Sequence, residues 1–587
     1  MTATGRPCLF VHILILLALP SMGAAASDCG QPATPIARIQ GTDDRSPLAG
    51  KTVTVEGILT LDSRTKGGFR GFYLQQADHQ TDDNPLTSEA LFIYTRRKAG
   101  KPGDRLRITG TAKEYHGLTE LTGIENLIVC GQETLPRPVP LSLPWPENPE
   151  TRENMRVEFR QPLTIIDNYN LARFGELTLA AEDQVIATEY QRPARSATQL
   201  SRQRQLQRVL LDDGKGEQDP VPVPWPPGGL DPEHTARAGG TVSNLTGVLD
   251  FRFGNWRIQP ESIPSFNSAN PRLPPPAHPS GDHIRVLSMN MENYFNGDGN
   301  GNGFPTSRGA RTAADYREQH RRLLRALKAP DPDILALTEI ENDGYGPDSA
   351  VATLARALGP DWHFIATPDS DGNDEIRNVL LYRNDRIMTM GDPSRLTSGP
   401  FQNRGRPPLA QVFQRLNGTA SVRVVALHLK SKSCRGATGG NLDQNNGEGC
   451  YAQRRAASAV AITNWLEATP APGTAAGTLI TGDFNSYARE TSLEILREAG
   501  FTSMVHWFHP CQPGSCPHYT YRYKGEKGSL DYALASSELK PHILGAHTWL
   551  INADEPRAIG YKSSLDPIKS LPWRSSDHNP VITDIRL

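Results

Sequence analysis

The sequence has little net charge, and this limits what its overall electrostatics can do. It holds 62 basic and 64 acidic residues, which leaves a formal charge of -2 at pH 7. A polyanion therefore meets no general cationic attraction. Any binding to nucleic-acid phosphate has to come from a local basic patch or from metal ions. Charge alone nominates no substrate.

A long membrane-spanning run is also missing from the start of the chain. The apolar run Leu9–Leu19 is too short to cross a bilayer comfortably. Arg6 precedes this run, and the small-residue tract 23–26 follows it, which is the layout of a secretory signal cleaved after Ala26. We expect residues 1–26 to be a signal peptide and the protein to be secreted, extracellular or periplasmic in transit. A retained amphipathic anchor is the alternative.

Cysteine is scarce, with 7 residues in the chain, and Cys8 lies in the signal segment. An even number in the remainder of an exported chain predicts disulfides, although sequence alone leaves their connectivity open. Their placement, two in the front of the chain and four in the back, favours Cys29–Cys130, Cys434–Cys450 and Cys511–Cys516. His509 and His518 flank the last pair, so a zinc site is the alternative there. An oxidising compartment favours the disulfide.

The length and the proline-rich stretches indicate several domains. A chain of 587 residues is too long for one core. Short alternating strands with glycines at the bends predict a small closed all-β barrel at 27–134. A proline-rich connector at 135–149 precedes a β-rich accessory module at 150–268. Another proline-rich stretch, 271–279, separates this module from the region 283–587.

Aromatic and basic side chains in the barrel region are candidates for a nucleic-acid surface. They are Phe69, Phe72, Tyr73, Tyr94 and Tyr115, with Arg96, Arg97 and Lys98 nearby. Aromatic rings stack on bases, and cations follow the backbone of a single strand. The region resembles the OB-fold module found in front of several secreted bacterial nucleases, which implies this role. For each aromatic taken singly, a place in the barrel core is the more common role.

From residue 283 the pattern changes to alternating strands and helices. Apolar strand-like runs begin at 284, 333, 379, 422, 479, 530 and 581, and helical periodicity occurs near 313–328, 349–358, 451–467 and 490–499. This alternation predicts a C-terminal α/β sandwich. Polar residues stand at the strand ends, where catalytic side chains tend to lie.

Several of these strand ends carry side chains suited to catalysis. Glu339 ends one strand and offers a hard oxygen ligand for Mg²⁺ or Mn²⁺. A solvated turn residue is the alternative for a single such glutamate. His428 ends a second strand, where a structural histidine is the alternative. Asp483 and Asn485 follow a third strand two residues apart, so that both can face the same side.

The segment Ser576–Pro580 places an acid beside a histidine in front of the last strand. Asp531, which begins an earlier strand, can accept the Nδ1 hydrogen of His578 and so fix the tautomer of this imidazole. The candidate catalytic residues follow one another along the chain as an ordered set: Asn290, Glu339, Asn378, His428, Asp483, Asn485, Asp531, Asp577 and His578. This set resembles the motifs of the endonuclease/exonuclease/phosphatase superfamily, which includes deoxyribonuclease I, exonuclease III and neutral sphingomyelinases.

This resemblance implies a fold of the deoxyribonuclease I-like type for 283–587 and a role for each side chain. It implies that Asn290, Glu339 and Asp577 bind or position a Mg²⁺ or Mn²⁺ ion. It implies that Asn485, like Asn290, helps to position the ion or the phosphate, and that Asp483 and His578 align or deprotonate the attacking water. His428 would act on the leaving oxygen, although the roles of the two histidines are interchangeable at this stage.

Basic and polar residues near the predicted site are candidates for substrate phosphate. They are Arg377, Asn378, Lys430 and Lys432. A cationic turn suits phosphate, and the Arg377–Asn378 step resembles the one beside the scissile phosphate in the superfamily. The loop 296–303 alternates oxygen ligands as a structural Ca²⁺ loop does. It lacks the bidentate glutamate of such loops, which favours a flexible glycine-rich loop.

The signal segment, the barrel and the catalytic motifs together resemble a bacterial extracellular nuclease of the ExeM type. We expect Mg²⁺- or Mn²⁺-dependent endonucleolytic hydrolysis of DNA, with RNA left open. No apolar anchor precedes Leu587, so release rather than retention on the membrane is expected. A secreted sphingomyelinase or phosphomonoesterase is the first alternative, and a catalytically inactive nucleic-acid-binding protein is the second. The oligomeric state and the role of the middle module are left open.

Overall fold

The computed structural model describes residues 1–2, 28–231, 233–402, 405–471, 475–562 and 571–587. Nearly all of the predicted signal peptide lies outside the described residues. Among the described residues, no helix combines the length and apolarity that a membrane crossing needs. The predicted disulfides Cys29–Cys130, Cys434–Cys450 and Cys511–Cys516 are all present. Because Cys511 and Cys516 pair with each other, their thiolates are not zinc ligands.

The first module is a closed five-stranded barrel. Its elements are α1 (Ile36–Gln40), β1 (Thr52–Asp62), β2 (Gly71–Gln75), β3 (Ala90–Tyr94), β4 (Asp104–Tyr115) and β5 (Leu118–Gln132). The strand order is β1-β2-β3-β5-β4. Only the β3–β5 pair of this barrel is parallel. The closed barrel was predictable from the strand pattern, and its assignment to the OB fold stays a prediction.

The barrel aromatics divide between core and surface. Phe72 and Tyr73 are fully buried, so they are core residues and cannot stack on a base. Phe69 is half-buried, with the guanidinium of Arg252 4.3 Å from its ring centre. Tyr94 and Tyr115 keep 40% and 47% of their surface exposed. Of the predicted aromatic set, these two rings are the ones open to a ligand.

The middle module is built on a nine-stranded sheet with the order β15-β12-β8-β9-β11-β14-β13-β7-β6. Its strands are β6 (Val139–Leu141), β7 (Arg156–Phe159), β8 (Leu163–Asp167), β9 (Leu177–Ala180), β10 (Gln184–Val185), β11 (Val209–Leu211), β12 (Thr241–Ser243), β13 (Leu245–Arg252), β14 (Asn255–Pro260) and β15 (Ser265–Asn267). Its helices are α2 (Leu171–Phe174) and α3 (Arg195–Leu206). Strand β10 leaves this sheet and pairs elsewhere.

The C-terminal module alternates strands and helices as the sequence indicated. Its first half contains β16 (Ile284–Tyr294), α4 (Ala313–Lys328), β17 (Ile334–Glu341), α5 (Ala350–Leu358), β18 (Trp362–Phe364), β19 (Ile376–Arg383), β20 (Ile387–Arg395), β21 (Leu409–Arg415) and β22 (Ser421–His428). Its second half contains α6 (Ala452–Ala468), β23 (Ala475–Asp483), α7 (Thr491–Glu498), β24 (Thr502–Ser503), α8 (Met504–Phe508), β25 (Tyr521–Tyr523), β26 (Glu526–Gly528), β27 (Asp531–Ala535), β28 (Ile543–Thr548) and β29 (Val581–Ile585).

Two six-stranded sheets pack face to face in this module. Their orders are β18-β19-β17-β16-β29-β28 and β20-β21-β22-β23-β27-β24. The core between them draws Val286 and Leu380 from the first sheet and Val424 and Ala533 from the second. Helices α4 and α5 cover the outer face of the first sheet, and α6 and α7 cover that of the second. This layering gives the predicted sandwich and leaves the strand ends free to form a site.

The middle module is joined to the C-terminal module by paired strands and buried charge. Strand β10 runs parallel to β26. Arg522 donates to Asp183 of the middle module at 2.7 Å and to Asp554 at 3.0 Å. The fully buried Asp554 also accepts a hydrogen bond from the Tyr519 hydroxyl at 2.6 Å and forms an ion pair with Arg237 at 3.4 Å. Asp554 is therefore the shared anion of this interface.

We predict that Asp554→Ala lowers the free energy of unfolding by about 3–5 kcal/mol, because it takes one of two anionic partners from each of the buried guanidinium groups of Arg522 and Arg237. Urea unfolding followed by circular dichroism measures the change. The matched control is Asp231→Ala, which removes an exposed carboxylate paired with His234 and should change stability little. A loss below about 1 kcal/mol in Asp554→Ala would show that the buried pairs do not hold the modules together.

Candidate active site

Three predicted side chains lie in one row across neighbouring strands. The register of β22, β23 and β27 pairs His428 with Asp483, and Asp483 with Asp531. Directly paired residues of a sheet point to the same face, so the register alone brings these three side chains together. His578 enters from the opposite sheet, just before β29. One ring nitrogen of His578 and one oxygen of each aspartate lie within 4.8 Å of one another.

His578 is held by Asp531, as its sequence context predicted. The Nδ1 atom of His578 lies 2.7 Å from Asp531 Oδ2. Burial would lower the pKa of His578, but Asp531, Asp577 and Asp483 outweigh it and raise this pKa well above its usual value. The ring of Tyr521 packs 4.6 Å from the imidazole, centre to centre. With Nδ1 engaged by Asp531, Nε2 is the atom left for substrate.

A second acid–histidine pair stands beside the first. His428 Nε2 lies 3.3 Å from Asp483 Oδ2, and both side chains are buried. Asn290 and Asn485 donate to the same carboxylate oxygen at 3.3 and 3.2 Å. Burial alone would raise the pKa of Asp483, but His428 and these surroundings hold it well below its usual range. Asp483 is therefore an anion fixed by donors on several sides.

Glu339 and Asp577 form the acidic part of the site. Burial raises the pKa of Glu339, and the repulsion by Asp577 raises it further. Asn293 N–H donates to Glu339 Oε2 at 2.9 Å, and the Asn290 side chain also bonds this carboxylate. Carboxylate and amide oxygens are the donors that Mg²⁺ and Mn²⁺ prefer. A divalent cation would remove the repulsion between the two acids, so the predicted ligands Asn290, Glu339 and Asp577 fit such an ion.

Local backbone geometry turns these side chains toward the site. Glu292, Asn293, Glu339 and Asn485 all have positive φ, between 48° and 59°. Non-glycine residues rarely adopt this conformation, and it occurs often at functional sites. The pairing of β16 with β17 also shifts between Asn290 and Tyr294. These irregularities interrupt the hydrogen-bonded pairing of β16 with β17 near Asn290 and Glu339, so that both side chains can turn toward the site.

Two charged residues of the site escaped the sequence interpretation. Burial raises the pKa of Glu292 to about 7, even though Arg574 donates to its carboxylate at 2.8 Å. Arg406 is half-buried and acts electrostatically on Glu339, His428 and Asp483. Its guanidinium donates to the Leu429 carbonyl, and burial lowers its pKa. No local motif marks either residue, because their partners come from distant parts of the chain.

The predicted phosphate ligands do not form one group. Arg377 is fully buried and donates to Asp371 at 2.9 Å, so its guanidinium supports the fold rather than a substrate. Lys432 is bound by the buried carboxylate of Glu490 at 2.5 Å. Both cations are thus already paired with a carboxylate, which argues against the predicted contact with substrate phosphate.

Asn378 and Lys430 have different surroundings. The buried Asn378 amide donates to the Arg406 and Pro407 carbonyls at 3.2 and 3.1 Å. It therefore supports the turn that carries Arg406. Lys430 is half-buried, 4.7 Å from the ring centre of Tyr451, and burial lowers its pKa. Of the four predicted phosphate ligands, Lys430 is the one whose cation carries no ion pair with a described residue. Its phosphate role stays a prediction.

In the glycine-rich loop 296–303, the carboxylate of Asp298 bonds to the backbone of the loop itself. Asp298 Oδ1 accepts the backbone N–H groups of Asn300 and Asn302 at 2.8 and 2.9 Å. These bonds lower the pKa of Asp298, the one from Asn302 most. The carboxylate is thus part of a turn, which favours the glycine-rich loop over the Ca²⁺ loop.

Comparison with known proteins gives a family for this half of the chain. Residues 288–578 match the Endonuclease/Exonuclease/phosphatase family. No curated protein matches the chain.

One similar structure is an endonuclease/exonuclease/phosphatase from Bacteroides vulgatus, with 15% identity over 52% of this chain and 100% of that one and a TM-score of 0.34. Another is D. rerio TDP2 complexed with single strand DNA product, with 16% identity, 52% and 100% coverage and a TM-score of 0.34. The human Nocturnin catalytic domain has 19% identity, 51% and 93% coverage and a TM-score of 0.32. Residues 288–578 of this chain thus carry the sequence pattern of the endonuclease/exonuclease/phosphatase family.

Proposed function

We propose that this protein is a secreted, metal-dependent nuclease that cleaves internal phosphodiester bonds of extracellular nucleic acid, with DNA as the main substrate. One observation carries the proposal: two acid–histidine pairs, Asp531–His578 and Asp483–His428, meet the acids Glu339 and Asp577 at one end of the sandwich. A phosphodiester repels an attacking hydroxide, so its hydrolysis needs both a cation and a positioned water. The site offers groups for both tasks.

A Mg²⁺ or Mn²⁺ ion held by Glu339, Asp577 and Asn290 would supply positive charge to a non-bridging phosphate oxygen. The protein's own groups arrange the rest. Asp531 fixes the imidazole of His578 through Nδ1, so that Nε2 can bond the substrate or the water. Asp483, held by Asn290 and Asn485, can align that water or accept a proton from it.

The remaining modules support the choice of compartment and substrate. Three disulfides suit an oxidising extracellular or periplasmic environment. The exposed ring of Tyr94 lies close in sequence to the exposed Arg96, Arg97 and Lys98, a combination that suits a single nucleic-acid strand. Both features are consistent with a nuclease that acts outside the cell.

The direct test of the proposed activity is digestion of supercoiled circular DNA by the purified mature protein. With Mg²⁺ or Mn²⁺ we expect nicked and then linear DNA on a gel, because internal cleavage needs no free end. EDTA should abolish the reaction. His578→Ala should abolish it as well, while His234→Ala, which changes an exposed histidine of the middle module, should cleave normally.

Other outcomes of this assay would contradict parts of the proposal. Circular DNA that stays intact while linear DNA is shortened would show exonucleolytic attack. Cleavage of RNA alone would correct the substrate. If no nucleic acid is cleaved but sphingomyelin or a phosphomonoester is, the site belongs to one of the other enzyme classes. Inactivity on all of them would leave a binding protein.

We predict that Asp531→Asn lowers kcat by about 10²–10⁴-fold with little change in KM, because an amide cannot hold the imidazole and its proton as a carboxylate does. Steady-state cleavage of a fluorescent oligonucleotide measures both constants. The control is Asp231→Asn, an exposed acid far along the chain, whose kinetics should match the wild type. A fall of less than about tenfold in Asp531→Asn would remove Asp531 from the catalytic arrangement.

We also predict a substrate-binding role for Arg406. Because Arg406 is the cation beside Glu339, His428 and Asp483, Arg406→Ala should lower kcat/KM by about 10- to 100-fold, the size of one hydrogen bond to a charged group. Arg406→Lys should recover part of this loss. Arg377→Met should instead lower the free energy of unfolding, since the buried Arg377 supports the fold through its ion pair with Asp371. Loss of stability rather than of kcat/KM in Arg406→Ala would assign this residue to the fold.

A further inference from the structure

A cluster of three histidines stands apart from the residues of the proposed catalytic site. His509 follows α8, His518 follows the Cys511–Cys516 disulfide, and His547 lies on β28. One ring nitrogen from each lies within 4.8 Å of the other two. His509 Nε2 and His547 Nδ1 are 3.1 Å apart, and the rings of His509 and His518 stack at 3.9 Å.

The three imidazoles are kept in their neutral form. Burial lowers the pKa of all three side chains. The pKa of His518 falls to about 4, because His509 and His547 add their repulsion to the effect of burial. A neutral imidazole has a lone pair on one nitrogen, which is the form that binds a metal.

The surrounding structure holds these rings in place. The disulfide between Cys511 and Cys516 joins the two chain segments that lead to His509 and His518, each of which lies two residues outside the bridge. Thr548 N–H donates to His518 Nδ1 at 3.1 Å, and the Thr548 hydroxyl lies 3.1 Å from the same nitrogen. These contacts fix the orientation of the ring, and an ion bound through this nitrogen would replace the Thr548 N–H at its lone pair. All three histidines are half-buried, so an ion could reach them from solvent.

We propose that His509, His518 and His547 bind one Zn²⁺ ion, with solvent as the remaining ligand. A set of three imidazole nitrogens suits Zn²⁺, whereas the oxygen-rich catalytic site suits Mg²⁺ or Mn²⁺. The ion would tie the disulfide loop to β28. The inference is independent of the proposed nuclease function, because it uses none of the catalytic residues.

The arrangement differs from the zinc site that the sequence suggested as an alternative. That site needed the thiolates of Cys511 and Cys516, which form a disulfide. The structure keeps His509 and His518 and replaces the thiolates by His547, which lies 38 residues after His509 and 29 residues after His518. The disulfide then has a positive role, since it positions two of the three ligands.

The test measures Zn²⁺ bound by the full-length mature protein in its oxidised form, without reductant, because free thiols would bind zinc themselves. The protein is stripped with EDTA and then dialysed against Zn²⁺ in the presence of excess Mg²⁺, which occupies the oxygen-rich site. Elemental analysis should find one Zn²⁺ per chain. His518→Ala and His547→Gln should lose it, while Glu339→Gln and His234→Ala should retain it.

A spectroscopic measurement on the unmutated protein guards against variants that misfold. Cu²⁺ added to the stripped protein should give an electron paramagnetic resonance spectrum with coupling to imidazole nitrogens. Zn²⁺ should also raise the Tm of the wild type and leave that of His518→Ala unchanged.

Three results would overturn the proposal. No bound Zn²⁺ and no nitrogen coupling would show that the rings form hydrogen bonds with one another only. Zn²⁺ lost in Glu339→Gln but kept in the histidine variants would place the ion in the catalytic site. Zn²⁺ retained in all four variants would place it elsewhere.

Discussion

Like charges crowded into one half-buried site are the constraint on which the rest of this structure depends. Glu339 and Asp577 repel each other, and Asp483 and Asp531 lie close by in the same site. Burial makes each charge more costly, because the surroundings solvate an anion less well than water does. The fold compensates with His428, His578, Arg406 and Arg574. A divalent cation held by Glu339 and Asp577 would complete this balance, so the site is suited to metal-dependent chemistry.

The sandwich makes this crowding possible by simple register. Pairing of β22, β23 and β27 places His428, Asp483 and Asp531 side by side, while His578 comes from the facing sheet. Neither sheet holds the site alone, so the packing of the two sheets sets the distances within it. Positive φ angles at residues such as Glu339 are then tolerated because the core on both sides is well packed.

The middle module supports the site from the side. Its strand β10 extends the β25–β26 hairpin, and Arg522 of that hairpin is fixed between Asp183 and Asp554. The same hairpin begins with Tyr521, whose ring lies against His578. The middle module thus contacts the hairpin whose Tyr521 ring packs on the imidazole, a contact that its β-rich sequence did not indicate.

Sequence could predict the parts of the site that depend on local order. Glu339, His428, Asp483 and Asp531 stand at strand ends, and strands of this length are visible as apolar runs. Arg406 and His547 were not predictable as site residues, because nothing in their own segments distinguishes them and their neighbours come from other elements. Lys432 shows the opposite error: its basic turn suggested phosphate, but Glu490, distant by 58 residues, neutralises it. Periodicity finds the barrel strands, yet it cannot tell that Phe72 and Tyr73 both lie in the core.

We propose that residues from both sheets form one divalent-metal site. The most direct measurement is anomalous X-ray diffraction from crystals of the protein soaked in Mn²⁺. We expect an anomalous peak from a Mn²⁺ ion that is bound by the carboxylates of Glu339 and Asp577, beside His578. Mn²⁺ bound elsewhere, with these two carboxylates left free at saturating concentration, would contradict it.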